Sequence, residues 1–181
     1  MELFSERGYD RVTVGEIAAR AGLTERTFFR YFTDKREVLF SGSDMLVQAL
    51  TKALTEAPAD ESPMEAVGSA LDAIARALEA HRTRDEAKVR YGVVTAHPEL
   101  MERERAKMSK LVDALTVALH KRGVEEPAAS LVAEAGIAVF RVGFERWLED
   151  EHDVSMAEHM QIALKTLQQV TAPSVKPRKK R

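Results

Sequence analysis

Apolar residues recur at spacings of three and four through most of the chain, the period of helices that bury one face. Val67, Leu71, Ile74 and Leu78 line one such face, and Met101, Met108, Leu111, Val112, Leu115 and Leu119 a second. Leu131, Ala135, Val139, Phe140, Gly143 and Trp147 line a third, and Met156, Met160, Ala163, Leu167 and Val170 a fourth. Thr13-Val14-Gly15-Glu16, Ser62-Pro63-Met64-Glu65 and Ser155-Met156-Ala157-Glu158 read as capping boxes, in which a hydroxyl takes the third helical N–H and a glutamate reaches back. Asp34 with Glu37 makes a similar start. Gly8, Gly22 and Gly123 fall at helix ends, and the prolines at 58, 63, 98, 127, 173 and 177 lie where helices begin or the fold finishes. The spacing predicts nine helices, near 1–7, 13–20, 24–31, 35–55, 63–80, 82–95, 98–121, 127–149 and 155–171, and no strand. Gly42, between Ser41 and Ser43, falls inside the fourth of these. It reads either as a pliable point between head and body or as a small residue required by packing.

Composition narrows the class. There is no cysteine among 181 residues, which excludes a disulfide framework, a thiolate metal site and a cysteine nucleophile and fits a reducing, cytoplasmic setting. No apolar run approaches the roughly 20 residues of a membrane helix, and the first residues have no signal-peptide pattern. The net charge of −2 is unevenly spread. Residues 1–40 hold seven acids and seven bases, the middle is acidic, and residues 172–181 hold five bases and no acid. That end reads as a disordered basic tail, either solubilising or weakly attracted to nucleic acid.

The segment from Thr13 to Lys35, TVGEIAARAGLTERTFFRYFTDK, carries the chemistry. Two short capped helices joined by a tight turn at Gly22 form a helix-turn-helix. Ile17, Leu23, Phe28 and Phe32 supply its shared core, and Ala18 is small enough for a close crossing. Glu25, Arg26, Phe29 and Arg30 are left facing outward. An exposed phenylalanine between arginines is costly on a plain surface but suits a DNA groove, where a ring meets a thymine methyl and arginine chelates guanine. Thr13, Thr24 and Lys35 sit at helix starts that favour phosphate, and Tyr31 adds a hydroxyl. The alternative is an ordinary helical hairpin. Against it, seven of the eleven aromatic residues lie in the first 40 positions.

The stretch FSERGYDRVTVGEIAARAGLTERTFFRYFTDKREVLF, Phe4 to Phe40, resembles the DNA-binding head of TetR-type transcriptional regulators. The resemblance rests on GYDRVTV, IAxxAGLT, the aromatic run and the following FxDK. It implies an all-α fold, with an N-terminal three-helix helix-turn-helix domain (1–40), a C-terminal helical bundle for ligand binding and dimerisation (41–171), and the basic tail (172–181). It also implies a homodimer that represses genes from a palindromic double-stranded operator until a small-molecule effector releases it. By residue match, Thr13 and Thr24 touch phosphate. Arg26, Thr27, Phe29 and Glu25 face bases, Arg30 and Tyr31 lie along the backbone, and Lys35 clamps a phosphate. Family members usually carry residues before the equivalent of Leu3, so no contact from an N-terminal arm is assigned.

The body, from about Glu65 to Trp147, is similar to the ligand domain of regulators associated with mycofactocin gene clusters, which implies an acyl-CoA or other lipid-like effector. Leu71, Leu78, Tyr91, Met101, Met108, Phe140 and Phe144 are the expected pocket lining, although they would serve equally as plain core. Small residues on the eighth predicted helix point to a dimer seam with the ninth. The expected seam comprises Ala135, Gly136, Val139, Gly143, Trp147, Met160 and Leu167, and close packing inside one subunit is the alternative. Arg82, Arg84, Lys88 and Arg90 form a basic cluster that reads as a solvated face or as a seat for an anionic head group. The five histidines make no metal motif, and no enzyme signature, cofactor motif or membrane segment is present. The rival readings are a DNA-binding protein without an effector, a helical enzyme and a protein–protein adaptor.

Overall fold

The computed structural model describes residues 1–172. The basic tail therefore lies outside the described residues. Within them the chain forms α1 (Glu2–Arg7), α2 (Val14–Arg20), α3 (Glu25–Tyr31), α4 (Lys35–Phe40), α5 (Ser43–Glu56), α6 (Pro63–His81), α7 (Arg84–Ala96), α8 (Pro98–Lys121), α9 (Ala128–Glu149) and α10 (Met156–Thr171). None of these helices is long and apolar enough to cross a membrane.

The caps act as the sequence indicates. Thr13, Ser62 and Ser155 each close a capping box with the glutamate three residues on, and Asp34 accepts from the N–H groups of Arg36 and Glu37. A further box, Thr83 with Glu86, starts α7 two residues later than the periodicity predicts. Pro63 and Pro98 occupy first turns, where no intrahelical donor is lost.

The helix predicted over 35–55 is broken in two. Gly42 has φ +85°, ψ 0°, a left-handed conformation that stops α4 and starts α5. A Cβ placed on Gly42 would meet nothing within 4 Å. Close packing is therefore not what calls for glycine there; the backbone turn is.

Three apolar clusters hold the molecule together. The largest joins α5, α6, α8 and α9 through Leu54, Leu71, Leu115 and Ile137. A second gathers Ala75, Trp147, Met156 and Met160 beneath Tyr91 and Phe144. The third joins the first helices to the body: Phe4, Tyr9, Val12 and Leu39 pack with Val94 and Leu100 of α7 and α8.

This packing bears on the residues expected at a dimer seam and at a pocket. Gly136, Val139, Gly143, Trp147 and Met160, expected at a seam between copies, are buried within one chain. A Cβ on Gly143 would lie 2.8 Å from Met160 Sδ and 3.1 Å from its backbone N and Cα; one on Gly136 would lie 2.5 Å from Val67 Cγ1. The small residues let α10 and α6 approach α9, which is the intrachain alternative. Ala135 and Leu167 are only partly buried. The seven expected pocket residues, moreover, do not surround one cavity. Leu71 and Met108 belong to the first cluster, Tyr91 and Phe144 to the second, Leu78 and Phe140 to the junction of the two, and Met101 to the third. Two open clefts are present among the described residues, and one expected pocket residue lines each: Leu71 the larger and Tyr91 the smaller. One of about 620 Å³ between α6 and α10 is edged by Asp60, Glu61, Glu65 and Asp72. The other, of about 310 Å³, lies beside Lys88, Tyr91 and Glu145.

Candidate nucleic-acid interface

Helix α2, a four-residue turn and α3 form the helix-turn-helix. The turn is closed by the Leu23 N–H donating to Ala18 O at 2.8 Å, with Gly22 at φ +68°. Thr24 caps α3, its Oγ1 accepting from the Thr27 N–H at 3.2 Å and lying 3.0 Å from the Thr27 hydroxyl. Phe28 faces inward and is 2% exposed, against Phe32 at a centroid distance of 5.1 Å. Ala18 is fully buried and Ile17 partly so. Leu23 departs from the expected core: it is 44% exposed, at the turn. Gly15, in the first turn of α2, leaves room for the Glu25 carboxylate, with which a Cβ there would collide.

The outward face of α3 carries what the sequence indicates. Phe29 is 53% exposed and meets Phe28 edge-on, and Tyr31 is 65% exposed. Arg30 donates from Nη2 to the Tyr31 hydroxyl at 3.0 Å and lies 4.8 Å from that ring's centroid. Arg26 and Glu25 are exposed, and Thr27 is half-buried.

Charge in the head is divided unevenly. Arg7 pairs with Glu16, Arg20 with both Glu2 (2.8 Å) and Glu6 (3.1 Å), and Arg36 with Asp34 (2.5 Å). The Arg36 guanidinium holds the Asp34 carboxyl below its ordinary range, and the Thr13 N–H does the same for Glu16. Among the described residues neither Arg26 nor Arg30 has a carboxylate partner. The positive charge left uncompensated in the first 34 residues therefore lies on α3, apart from Arg11, which donates to the Arg7 carbonyl at 2.7 Å.

Lys35 is placed differently from its expected role. Its ammonium donates to the carbonyls of Tyr9 (2.8 Å), Val12 (3.1 Å) and Asp10 (3.3 Å) and sits 4.4 Å from the Tyr9 ring centroid. These contacts take up its three donors, so Lys35 ties the loop after α1 to the start of α4 rather than presenting a free charge to phosphate.

Sequence reasoning missed the fastening of α4 to the body. Arg90, in the middle of α7, donates from Nε to Leu39 O at 2.8 Å, and Arg103 on α8 pairs with Glu37 at 3.0 Å. Both guanidiniums lie 5.3 Å from the Phe40 centroid, one from each helix. His97 bridges the same seam, with Nδ1 2.7 Å from Val93 O, Nε2 3.3 Å from Asp10 and its ring edge-on to Tyr9. No local signal reveals contacts 51 to 87 residues apart in sequence.

The comparisons agree with this geometry. Residues 1–41 match the sequence profile of bacterial regulatory proteins of the tetR family. A 74-residue stretch is 38% identical to the HTH-type transcriptional regulator TcmR of Streptomyces glaucescens, covering 41% of this chain and 33% of that protein. A 71-residue stretch is 38% identical to an uncharacterized HTH-type regulator of Mycobacterium tuberculosis, covering 39% of this chain and 36% of that protein. The matches thus span about a third of the length of these curated relatives. Over the whole chain the fold is similar to Thermus thermophilus FadR, a TetR-family repressor solved with lauroyl-CoA. Its TM-score is 0.61 at 22% identity, covering 100% of this chain and 95% of that one. It is also similar to PfmR, a TetR-family regulator of Thermus thermophilus, with TM-score 0.54 at 20% identity, covering 95% and 96%. The head is thus matched in sequence by tetR-family regulators, and the whole chain is similar in fold to proteins that carry such a head.

Proposed function

We propose that the chain is a homodimeric, ligand-responsive repressor that reads a palindromic operator in double-stranded DNA through α3. The observation that carries the DNA reading is the division of charge in the head: Arg7, Arg20 and Arg36 are compensated, whereas Arg26 and Arg30 stand uncompensated beside the exposed rings of Phe29 and Tyr31. Arginine forks suit guanine edges, and an apolar ring suits a thymine methyl. Thr13 and Thr24, at the starts of α2 and α3, would contact phosphate on either side.

The dimer would form through the outer faces of α9 and α10, where Leu131, Ala138, Val142, Ile162 and Val170 are exposed. Two heads would then enter successive major grooves about 34–36 Å apart. An acyl-CoA is the first effector to test. The body resembles lipid-responsive regulators, and FadR, which shares the fold, carries lauroyl-CoA. Because most of the expected pocket residues pack into separate clusters, a ligand reaching beyond the clefts at Leu71 and Tyr91 would have to displace core side chains and favour a different head spacing. Its effect on DNA affinity must then be reciprocal.

Selection of bound fragments from a random DNA pool at fixed salt, followed by anisotropy titration, tests the reading. Arg26→Ala and Phe29→Ala should each weaken operator binding about 5- to 150-fold, the equivalent of about 1–3 kcal/mol. Both side chains are exposed, so the melting temperature should not move. Unchanged affinity in both variants would refute the DNA surface and favour a protein–protein adaptor.

A further inference from the structure

Where α7 faces α8, two buried cations share one carboxylate and a third lies beside them. Arg90, its side chain only 10% exposed, donates from Nη2 to Glu104 Oε2 at 2.6 Å. Lys107 Nζ lies 2.5 Å from the other carboxylate oxygen, and its side chain is 14% exposed. Arg82, just beyond α6, is half-buried and near enough for its charge to interact with both Arg90 and Lys107. The other acid close to Arg82 is Glu86, which is exposed and occupied in the capping box with Thr83. Inside the seam, Arg90 and Lys107 thus share one carboxylate, and the charge of Arg82 adds to theirs rather than to its compensation.

That imbalance opposes folding, since burying like charges without a full complement of partners is costly. Its effect is visible at Lys107, which burial and then Arg90 push down to about 8 against the pull of Glu104. Burial and Arg90 lower Arg82 as well. Arg90 is held on its other side by Leu39 O and the Phe40 ring, so its fork is fixed in place.

We propose that Arg82, Arg90 and Lys107 form a binding site for an oxyanion, a phosphate or carboxylate group carried by the effector. The inference rests on the effector reading for the source of that group. Two guanidiniums and an ammonium offer the charge-assisted donors that oxyanions take, and an anion supplies the negative charge the seam lacks. The larger cleft is a poor seat for the same group, because four carboxylates edge it. Arg90 also touches the last turn of α4, so a ligand that draws on Arg90 acts on the element that carries the head.

The test is calorimetry of the full chain with inorganic phosphate in one arm and acetate in the other, at constant ionic strength made up with chloride. The expected result is saturable binding of one anion per chain, at least about tenfold weaker in Arg82→Gln and in Lys107→Gln, as one charge-assisted hydrogen bond is worth. At pH 8 the wild type should also take up protons on binding, seen as a buffer-dependent heat that Lys107→Gln lacks. Tighter phosphate or tighter acetate distinguishes a phosphorylated from a carboxylate effector. Should Lys107→Gln fail to fold, Arg82→Gln decides, because Arg82 is half-exposed. No saturable binding of either anion, or binding untouched in both variants but lost in Arg26→Ala, overturns the proposal. A chain that takes phosphate at this seam yet binds no DNA removes the proposed function and leaves the site standing. A chain that binds DNA but takes neither anion removes this inference alone.

Discussion

Gly143 and Gly92 are both helical glycines, and the structure gives opposite signs for replacing them with alanine. In either case alanine gains about 1 kcal/mol of helix preference. At Gly92 nothing lies within 4 Å of the new Cβ, so the gain is kept. At Gly143 the Cβ would meet the Met160 backbone at 3.1 Å, and the Met160 sulfur at 2.8 Å. A side chain can swing away, but α10 must shift to move its own backbone. Overpacking of this kind costs about 2–3 kcal/mol, which leaves Gly143→Ala destabilised by about 1–2 kcal/mol. For a chain of this size that is a melting temperature lower by about 3–6 °C, while Gly92→Ala should rise by about 1–4 °C. Thermal unfolding followed by far-UV circular dichroism, at one protomer concentration, measures both. If Gly143→Ala melts no lower than wild type, or if its only effect is to weaken self-association, α9 does not meet α10 within one chain as described.

Gly42→Ala should cost about 1–2 kcal/mol, because an L-residue must adopt the left-handed conformation there; a chemical denaturation midpoint checks this, and an unchanged midpoint would mean that α4 and α5 run continuously. His97 is raised above its ordinary value, first by its hydrogen bond to Val93 O and further by Asp10. Its contribution is therefore fully present below the unfolded value near 6.5 and is lost as pH rises through the higher folded value. Asp10→Asn should flatten that part of the stability–pH profile. Lys107 has the opposite sign: with a folded value of about 8 against 10.5, the unfolded chain binds more protons between them, so stability should rise with pH across that window. Lys107→Met should accordingly be more stable than wild type at pH 7, with the advantage shrinking towards pH 10; a constant difference would refute the assignment.

Elements with local causes were legible in the sequence. Thr13, Ser62 and Ser155 each find their glutamate three positions on, and Gly22 turns where the two short helices must meet. The outward face of α3 follows from the inward spacing of Phe28 and Phe32. What was not legible depends on partners distant in the chain. The apolar pattern runs unbroken across Gly42, and nothing nearby distinguishes a left-handed glycine from a packed one. A row of small residues on α9 says that a helix comes close, but not whether that helix belongs to the same chain. Lys35 finds its acceptors in carbonyls 23 to 26 residues away, so its place at the start of α4 alone implied a freedom it does not have. The division of the expected pocket residues was not legible for a related reason, since Leu71, which lines the larger cleft, and Phe140, which packs between two clusters, have the same apolar character and period.

The interruption at Gly42 has a mechanical consequence. A continuous rod from body to head would carry torque along its own axis, but a rod cut by one reversed residue does not. Movement within the bundle therefore enters the six-residue segment ahead of the cut sideways, through the two guanidiniums that flank Phe40 and the seat of Leu39 on Val94 and Leu100. The head is in this sense held by a clamp on its short neck, and the stiffness of that clamp limits how far the bundle can turn it.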